Sequence, residues 1–515
     1  MSLTSRRLLL GQAAALAGAA LLPETRSAFA QTRLTEDPFS LGVASGEPSP
    51  DGMVLWTRLA PRPLQPDGGM PPAPVQVRWQ VAEDERMTRV VRSGYEIASP
   101  VAGHSVHVTV VKLKPGRPYW YRFMAAGHAS PVGRTRTAPA RGADVQRLRL
   151  AYSSCQKFEA GYWGAYEHLV ADDPDLVLFL GDYIYEQKAT NNGVRRHPDE
   201  EPKDIGGYRV RYGAYKSDPM LKAAHAAAPW MVIWDDHEVK NDYGGDTDRA
   251  NTDPAVFLRR RAAAYQAYYE HMPLRRRQVP VGPSMLLHRA LDWGSLAQLQ
   301  FIDTRQHRPA RTCDALASKD DPKIIPDCPE RTDPRRSLLG APQERWLLDT
   351  LGASKARWNI LAQQYVMGEL MRPAADGPRF SNDGWSGYAA SRQRILERWR
   401  DARVSNPLVL GGDIHCFVAG DLKLAPDQAP IATEFNGGSI SSLGAANATL
   451  AALAKPNPHI RFTEGEHRGY GRVDITPNGA DVTFRAIQTA LKPTSDAYDL
   501  ARFHVESGRP GVQRA

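Results

Sequence analysis

The sequence predicts an α/β protein with a layered sheet, preceded by an all-β region. Short apolar strands such as Leu176–Leu180 show no polar alternation, which is typical of strands buried on both faces of a parallel sheet. Helical stretches lie between these strands along the chain, an order that builds layered α/β sheets. Residues 31–140 instead hold short strands of alternating polarity between Pro and Gly turns, as antiparallel sandwiches do.

Length and composition agree with a globular protein of more than one domain. A chain of 515 residues predicts two or three domains, and 42% hydrophobic with 24% charged residues is enough for sizeable cores. The net charge of +8 is not gathered into Lys/Arg runs, so nucleic-acid binding is not predicted. A mildly positive surface instead favours anionic substrates. We divide the chain into residues 1–30, 31–140 and 141–515.

Residues 1–30 have the order of a twin-arginine signal peptide. Arg6 and Arg7 precede an apolar run from Leu8 to Leu22, and Ala28-Phe29-Ala30 provides small residues for cleavage. A membrane anchor is the alternative, but the run of about 15 residues is shorter than the ~20 that a spanning helix needs. We therefore predict export by the twin-arginine machinery to the periplasm or the exterior, with no transmembrane anchor in the mature chain.

In residues 31–140 the strands are predicted from period-two alternation. The stretch Leu113-Lys114-Pro115-Gly116, followed by aromatic residues, resembles a corner of fibronectin type III domains, so we predict a fibronectin-like all-β domain that supports the catalytic part or gates its substrate. The predicted strands are Met53–Thr57, Val75–Val81, His107–Val110 and Tyr119–Phe123.

From residue 148 onwards, apolar strands alternate with helices. The predicted strands are Leu148–Ser154, Leu176–Leu180, Met231–Trp234, Leu299–Asp303, Trp358–Ala362 and Leu408–Leu410, and the predicted helices are Gly161–Val170, Tyr208–Ala226, Gln343–Leu351 and Ala389–Ala402. A hairpin around Pro477-Asn478-Gly479 closes the chain. The polar insertions at 187–203 and 306–336 exceed ordinary loop lengths, so we expect them to lie over the top of the sheet. Cys313 and Cys328 bracket part of the second insertion and are predicted to form a disulfide.

Polar residues follow directly after four of the apolar strands. The four segments are Ser153-Ser154-Cys155, Gly181-Asp182-Tyr183-Ile184-Tyr185, Asp235-Asp236-His237-Glu238 with Asn241-Asp242, and Gly411-Gly412-Asp413-Ile414-His415-Cys416. Each segment alone has a structural explanation, such as a buried cysteine, a helix cap or a loop hydrogen bond. In α/β sheets, ligands bind at the carboxyl ends of the strands. The recurrence of polar segments at four such ends therefore favours a catalytic metal centre with mixed hard and soft donors.

These segments resemble the signature of calcineurin-like metallophosphoesterases. The shared patterns are Gly-Asp-x-x-Tyr, Asp-Asp-His-Glu and Gly-Gly-Asp-x-His, in this order. Within that superfamily, Cys155, the fibronectin-like region and the stretches Trp234–Val239 and Phe301–Gln306 resemble the PhoD alkaline phosphatase family. The resemblance covers nearly all of the mature chain and implies a β-sandwich core flanked by helices.

The resemblance also implies the metals and their ligands. It assigns Fe³⁺ and Ca²⁺ to the site, with Asp182 bridging the two ions. Thiolate and phenolate donors favour ferric iron, whereas carboxylates and an amide oxygen suit calcium. The implied iron ligands are Cys155, Asp182, Tyr185 and His415, and the implied calcium ligands are Asp182, Asp236, Asn241 and Asp413.

The function implied is metal-dependent hydrolysis of phosphate monoesters and diesters by an activated water. We count His237 and Asn241 as catalytic residues: His237 contacts the phosphate or protonates the leaving group, or else it orients Asp236. The substrate is a small phosphate ester, a phospholipid headgroup or a teichoic-type polymer. The alternative function is a non-catalytic, metal-dependent phosphate-binding protein.

Overall fold

The computed structural model describes residues 34–198 and 200–515, so the predicted signal peptide lies outside the described residues. Across these two ranges, none of the helices combines the length and the apolar character needed to span a bilayer.

The N-terminal region is all-β, as predicted. Its strands are β1 (Val43–Ser49), β2 (Gly52–Arg58), β3 (Val75–Ala82), β4 (Val90–Ala98), β5 (Ser105–Val110), β6 (Pro118–Ala125), β7 (His128–Ala129) and β8 (Gly133–Arg136). Strands β3, β4, β6, β7 and β8 form one sheet, and β1, β2 and β5 belong to another. Leu55 and Val108 of the second sheet share a buried apolar core with Val77 and Tyr121 of the first, so the two sheets form a sandwich.

All but two of the remaining strands, together with β1, β2 and β5, build two large sheets. The remaining strands are β9 (Leu148–Ser153), β10 (Leu176–Leu180), β11 (Pro229–Ile233), β12 (Arg289–Trp293), β13 (Ala297–Phe301), β14 (Ile324–Pro326), β15 (Trp358–Ala362), β16 (Arg379–Ser381), β17 (Pro407–Gly411), β18 (Phe417–Leu422), β19 (Ala432–Gly437), β20 (Ile460–Glu464), β21 (Arg468–Ile475), β22 (Gly479–Ile487), β23 (Ala497–Glu506) and β24 (Arg509–Arg514). The ten-stranded sheet has the order β24-β23-β22-β21-β9-β10-β11-β1-β2-β5, and the seven-stranded sheet has the order β12-β13-β15-β17-β19-β18-β20.

The two large sheets pack face to face, with helices on their outer faces. Phe417 and Phe435 of the seven-stranded sheet contact Phe484 of the ten-stranded sheet, with ring centroids 5.1 and 6.2 Å apart. The helices are α1 (Ala165–Ala171), α2 (Ile205–Lys216), α3 (Pro219–Ala227), α4 (Pro254–His271), α5 (Ala341–Ala353), α6 (Ala389–Asp401) and α7 (Asn447–Ala454). The predicted β-sandwich core flanked by helices is confirmed.

Two helical segments differ from the prediction. The single helix expected over residues 208–226 is two helices, because Pro219 starts a new one and Asp218 caps it by accepting from Met220 N at 2.9 Å. Helix α4 was not predicted, although Asp253 and Pro254 supply the usual N-terminal signal, and Asp253 Oδ1 accepts from Ala255 N at 2.9 Å.

The ten-stranded sheet crosses the boundary drawn at residue 140. Strand β1 runs parallel to β11, with Ser45 opposite Pro229 and Gly46 opposite Trp230. The close approach needs a glycine at position 46, because a Cβ there would lie 2.5 Å from the Trp230 carbonyl oxygen. The N-terminal region therefore extends the sheet that contains β9, β10 and β11.

The second polar insertion folds over the sheet top, as expected. Cys313 and Cys328 form the predicted disulfide, and Cys155 and Cys416 are free thiols. Strand β14 of this insertion pairs with β16 in a small antiparallel sheet. Lys323 and Ile324, at the start of β14, line the cavity that holds the predicted site.

Candidate metal centre

The strand ends of both large sheets converge on one cavity of about 300 Å³. Strands β9, β10 and β11 of the ten-stranded sheet lead to Cys155, Asp182 and Asp236, while β17 of the seven-stranded sheet leads to Asp413 and His415. The predicted residues that line the cavity are Asp182, Asp236, His237, Asn241, Asp413 and His415. Cys155 and Tyr185 are buried behind this surface.

Four of the predicted ligands have left-handed backbone conformations. The φ angles are 58° at Cys155, 57° at Asp182, 63° at Asp413 and 57° at His415. Such conformations cost of order 1–3 kcal/mol in non-glycine residues and concentrate at functional sites. Here they turn the chain immediately after a strand, and the side chains therefore point towards a common centre.

The predicted iron ligands are brought together. One ligand atom each from Cys155, Asp182 and His415 lies within 4.8 Å of the others. The Tyr185 hydroxyl donates to Asp182 Oδ2 at 2.9 Å and lies 3.1 Å from His415 Nε2. Ser442 Oγ donates to the same hydroxyl at 2.8 Å. A thiol, a phenol, an imidazole and a carboxylate thus face one point.

The acidic residues form two further groups beside the first. Asp182, Asp236 and His237 have ligand atoms within 4.8 Å of one another, as do Asp235, Asp236 and Asp413. Asp182 belongs to two of the three groups, so its carboxylate can bridge two cations. Asn241 lines the same cavity, and its backbone N–H donates to Glu186 Oε1 at 2.8 Å.

The electrostatics of these groups fit cation binding. Asp182 Oδ1 is buried and accepts no hydrogen bond within residues 34–198 and 200–515. Burial raises the pKa of Asp182 well above its ordinary value, and it raises the pKa of Asp413 to about 7. Carboxyl groups crowded in this way are costly to ionise without positive charge nearby, and a bound cation supplies that charge.

Comparisons with known proteins assign the family. The model of the PhoD-like phosphatase matches residues 150–484, and the model of the PhoD-like phosphatase N-terminal domain matches residues 24–139. This chain belongs to the PhoD-like phosphatase family. It is 42% identical over 488 residues to alkaline phosphatase D of Bacillus subtilis (strain 168), covering 93% of this chain and 82% of that protein. A solved structure of PhoD is 41% identical and matches with a TM-score of 0.89, covering 94% of this chain and 93% of the other.

Membership of this family establishes that the chain is a phosphoric ester hydrolase, and its substrate is therefore a phosphate ester. This sets aside the alternative of a non-catalytic phosphate-binding protein.

Several supporting residues of this phosphatase were not predicted from the sequence. Glu186 Oε2 accepts from His237 Nδ1 at 2.7 Å, which fixes the histidine ring and leaves Nε2 for another partner. Glu238 accepts backbone N–H bonds from Asp182 at 3.2 Å and from Asp235 at 2.8 Å. His415 Nδ1 donates to the Leu443 carbonyl oxygen at 2.9 Å, which likewise frees its Nε2. The sequence thus shows that Glu186 and Glu238 lie beside the motifs, but it does not show which groups donate hydrogen bonds to them.

A buried arginine, Arg305, forms ion pairs with the acidic groups beside the cavity. The fully buried Arg305 donates to Asp235 at 2.5 Å and to Asp383 at 3.1 and 3.2 Å, and its Nη2 lies 3.3 Å from Asp236. Burial opposes ionisation of Asp236, but Arg305 and His237 hold the pKa of that carboxyl below its ordinary value. Asp236 is therefore kept anionic beneath the cavity.

Proposed function

We propose that this PhoD-like phosphatase hydrolyses both monoesters and diesters of phosphoric acid at a centre of Fe³⁺ and Ca²⁺. The observation that carries the proposal is the position of Asp182 in two adjoining groups of ligand atoms. Both groups contain an imidazole, but only the first contains a thiol, whereas the second contains another carboxylate, that of Asp236. Two unlike cations that share a carboxylate suit such a division of soft and hard donors.

The ligands divide by their chemistry. The proposed Fe³⁺ ligands are Cys155, Asp182, Tyr185 and His415, and the proposed Ca²⁺ ligands are Asp182, Asp236, Asn241 and Asp413. When bound, the cations supply Lewis acidity to the phosphate group and to the attacking water. Asn241 also belongs to the proposed catalytic residues, since its side chain borders the cavity in which the ester would lie.

We assign to His237 the proton needed by the leaving oxygen. Burial lowers the pKa of His237, whereas the carboxylate of Glu186, which is not among the proposed metal ligands, raises it. Glu186 holds Nδ1, so a protonated Nε2 can donate to the ester oxygen as it departs. The Tyr185 ring packs against His237 with centroids 4.1 Å apart and restricts its rotation.

Metal analysis and absorption spectra test the iron assignment. Thiolate and phenolate bound to Fe³⁺ should give visible charge-transfer bands, which calcium or zinc cannot produce. Tyr185→Phe keeps the ring but removes the donor oxygen, so the phenolate band should vanish and metal occupancy and activity should fall. Iron-loaded protein that is colourless, or an unchanged spectrum in Tyr185→Phe, would remove Tyr185 from the ligand set.

Assays with 4-nitrophenyl phosphate and bis(4-nitrophenyl) phosphate test the two ester classes separately. Hydrolysis of both esters is expected, and the activity should disappear on chelation and return with the metals. Hydrolysis of the monoester alone would restrict the proposal to monoesters.

We further propose that the chain is exported by the twin-arginine machinery to the periplasm or the exterior. The paired Arg6 and Arg7 support this route, and the disulfide between Cys313 and Cys328 suits an oxidising compartment. Replacing both arginines by lysine should leave the precursor in the cytoplasm, which fractionation would detect. Unimpaired export of that variant would contradict this route.

A further inference from the structure

Lys323 brings a positive charge into a cavity rich in carboxylates. It belongs to the insertion of residues 306–336 and lines the same cavity as Asp182 and Asp413. Its Nζ pairs with Asp242 Oδ1 at 2.5 Å, and the backbone N–H of Asp242 donates to Asp236 Oδ2 at 2.5 Å. Asp242 thus links the ammonium group to Asp236, a proposed calcium ligand.

The backbone of Lys323 is fixed on both sides. Its N–H donates to Asp321 Oδ1 at 3.0 Å, and its carbonyl oxygen accepts from Asn382 N at 2.8 Å. The next residue, Ile324, starts β14 and pairs with Ser381 of β16. The disulfide between residues 313 and 328 closes the same segment. The charge is therefore carried by an ordered two-stranded platform.

Asp242 does not depend on Lys323 for its positive partner. Arg249 Nε donates to the other carboxylate oxygen of Asp242 at 2.7 Å, and Arg249 is not among the residues that line the cavity. The Lys323 side chain is 39% exposed, whereas that of Arg249 is 18% exposed. An ammonium group has three N–H donors, and the ion pair with Asp242 engages at most one of them. The others remain available to a ligand in the cavity.

We propose that Lys323 contacts the phosphate group undergoing hydrolysis and favours monoesters over diesters. The proposal rests on the proposed function, because it places the ester in this cavity. A monoester at alkaline pH carries one more negative charge than a diester, and the attraction of a fixed ammonium rises with the charge it meets. Lysine acts on phosphate as a point charge, so it is sensitive to total charge. Lys323 is in this sense a specificity-determining residue.

The test compares ester classes in Lys323→Met. We expect kcat/KM for 4-nitrophenyl phosphate to fall by about 10- to 100-fold, the range for loss of a hydrogen bond to a charged group. The value of kcat/KM for bis(4-nitrophenyl) phosphate should fall by a smaller factor. The inhibition constant of inorganic phosphate should rise by a factor similar to the loss of kcat/KM for the monoester. Lys323→Arg keeps the charge and should retain most of the monoester preference. Metal content is measured in every variant.

Arg249→Met is the matched control. It removes an ion pair from the same Asp242 but leaves the charge in the cavity unchanged, so the ratio of the two kcat/KM values and the phosphate inhibition should stay as in the wild type. The proposal is overturned if Lys323→Met changes kcat/KM for both esters by the same factor, or if Arg249→Met reproduces the effect of Lys323→Met. If the wild type hydrolyses neither ester, the proposed function fails instead. Calorimetric titration with inorganic phosphate then decides separately whether Lys323 contacts the anion.

Discussion

Arg305→Met should destabilise the metal-free protein strongly and the calcium-loaded protein less. Arg305 is fully buried and pairs with Asp235, Asp236 and Asp383. Asp383 keeps a second partner, since Arg308 Nη2 donates to it at 3.0 Å. The loss therefore falls mainly on Asp235 and Asp236. Removing one partner of a buried ion pair costs about 3–5 kcal/mol, and we expect a decrease of this size in the free energy of unfolding.

Calcium should recover part of this loss. Asp235 and Asp236 lie in one group of ligand atoms with Asp413, so removing the guanidinium leaves more unpaired negative charge where the cation is proposed to bind. We expect calcium to stabilise Arg305→Met more than the wild type by at least about 1.4 kcal/mol, which corresponds to tenfold tighter binding. Urea unfolding followed by tryptophan fluorescence, with chelator or with saturating calcium, measures both quantities.

Arg308→Met is the control for this reasoning. Arg308 is equally buried and shares Asp383 and the Tyr243 carbonyl oxygen with Arg305, but no contact joins it to Asp235 or Asp236. Arg308→Met should lower the free energy of unfolding, but calcium should stabilise this variant no more than it stabilises the wild type. If calcium rescues both variants equally, or if Arg305→Met is as stable as the wild type in chelator, Arg305 does not balance the charge of these carboxylates.

Three further outcomes are expected. Glu186→Gln weakens the hold on His237 and should lower kcat by about 10- to 100-fold with little change in KM; an unchanged kcat would show that His237 needs no orientation. The double variant Cys313→Ser/Cys328→Ser opens a cross-link with a sequence separation of 15 and should lower stability by about 3 kcal/mol in thermal unfolding; unfolding at the wild-type temperature would contradict this. Burial holds the pKa of Lys216 well below its ordinary value, because the charged ammonium is costly in the folded protein. Lys216→Met should therefore be more stable than the wild type at pH 7, and the difference should shrink as pH rises towards 10.5; a pH-independent difference would contradict this explanation.

The sequence was sufficient to predict which strands lead to the site. Leu176–Leu180 is an unbroken apolar run, and Trp358–Ala362 is interrupted only by Asn359; the structure has both strands with the predicted bounds. Because parallel strands end at one edge of a sheet, the polar residues after them could be expected to meet. Asp182 and Asp413 lie in different sheets and still reach the same cavity, since the sandwich brings both sets of strand ends together.

The supporting contacts could not be predicted in the same way. Glu186 and His237 are 51 residues apart, and Arg305 and Asp235 are 70 apart, so only the tertiary fold pairs them. Lys323 lies in an irregular insertion whose position depends on the disulfide and on β16. Helix α4 was missed because the arginines at 259–261 and its many aromatic residues obscure the helical period, although its cap was readable.

The parallel pairing of β1 with β11 bears on how this protein can be divided or recombined. The two family models part the chain between residues 139 and 150, as if two modules had been joined there. Yet β11 is buried along its whole length and hydrogen-bonded on one side to β1. A fragment that begins after the first module would expose β11 as an open, apolar edge, which invites pairing with other chains. Exchange of the N-terminal module between relatives would therefore succeed only where the incoming strand keeps the register of Ser45 against Pro229.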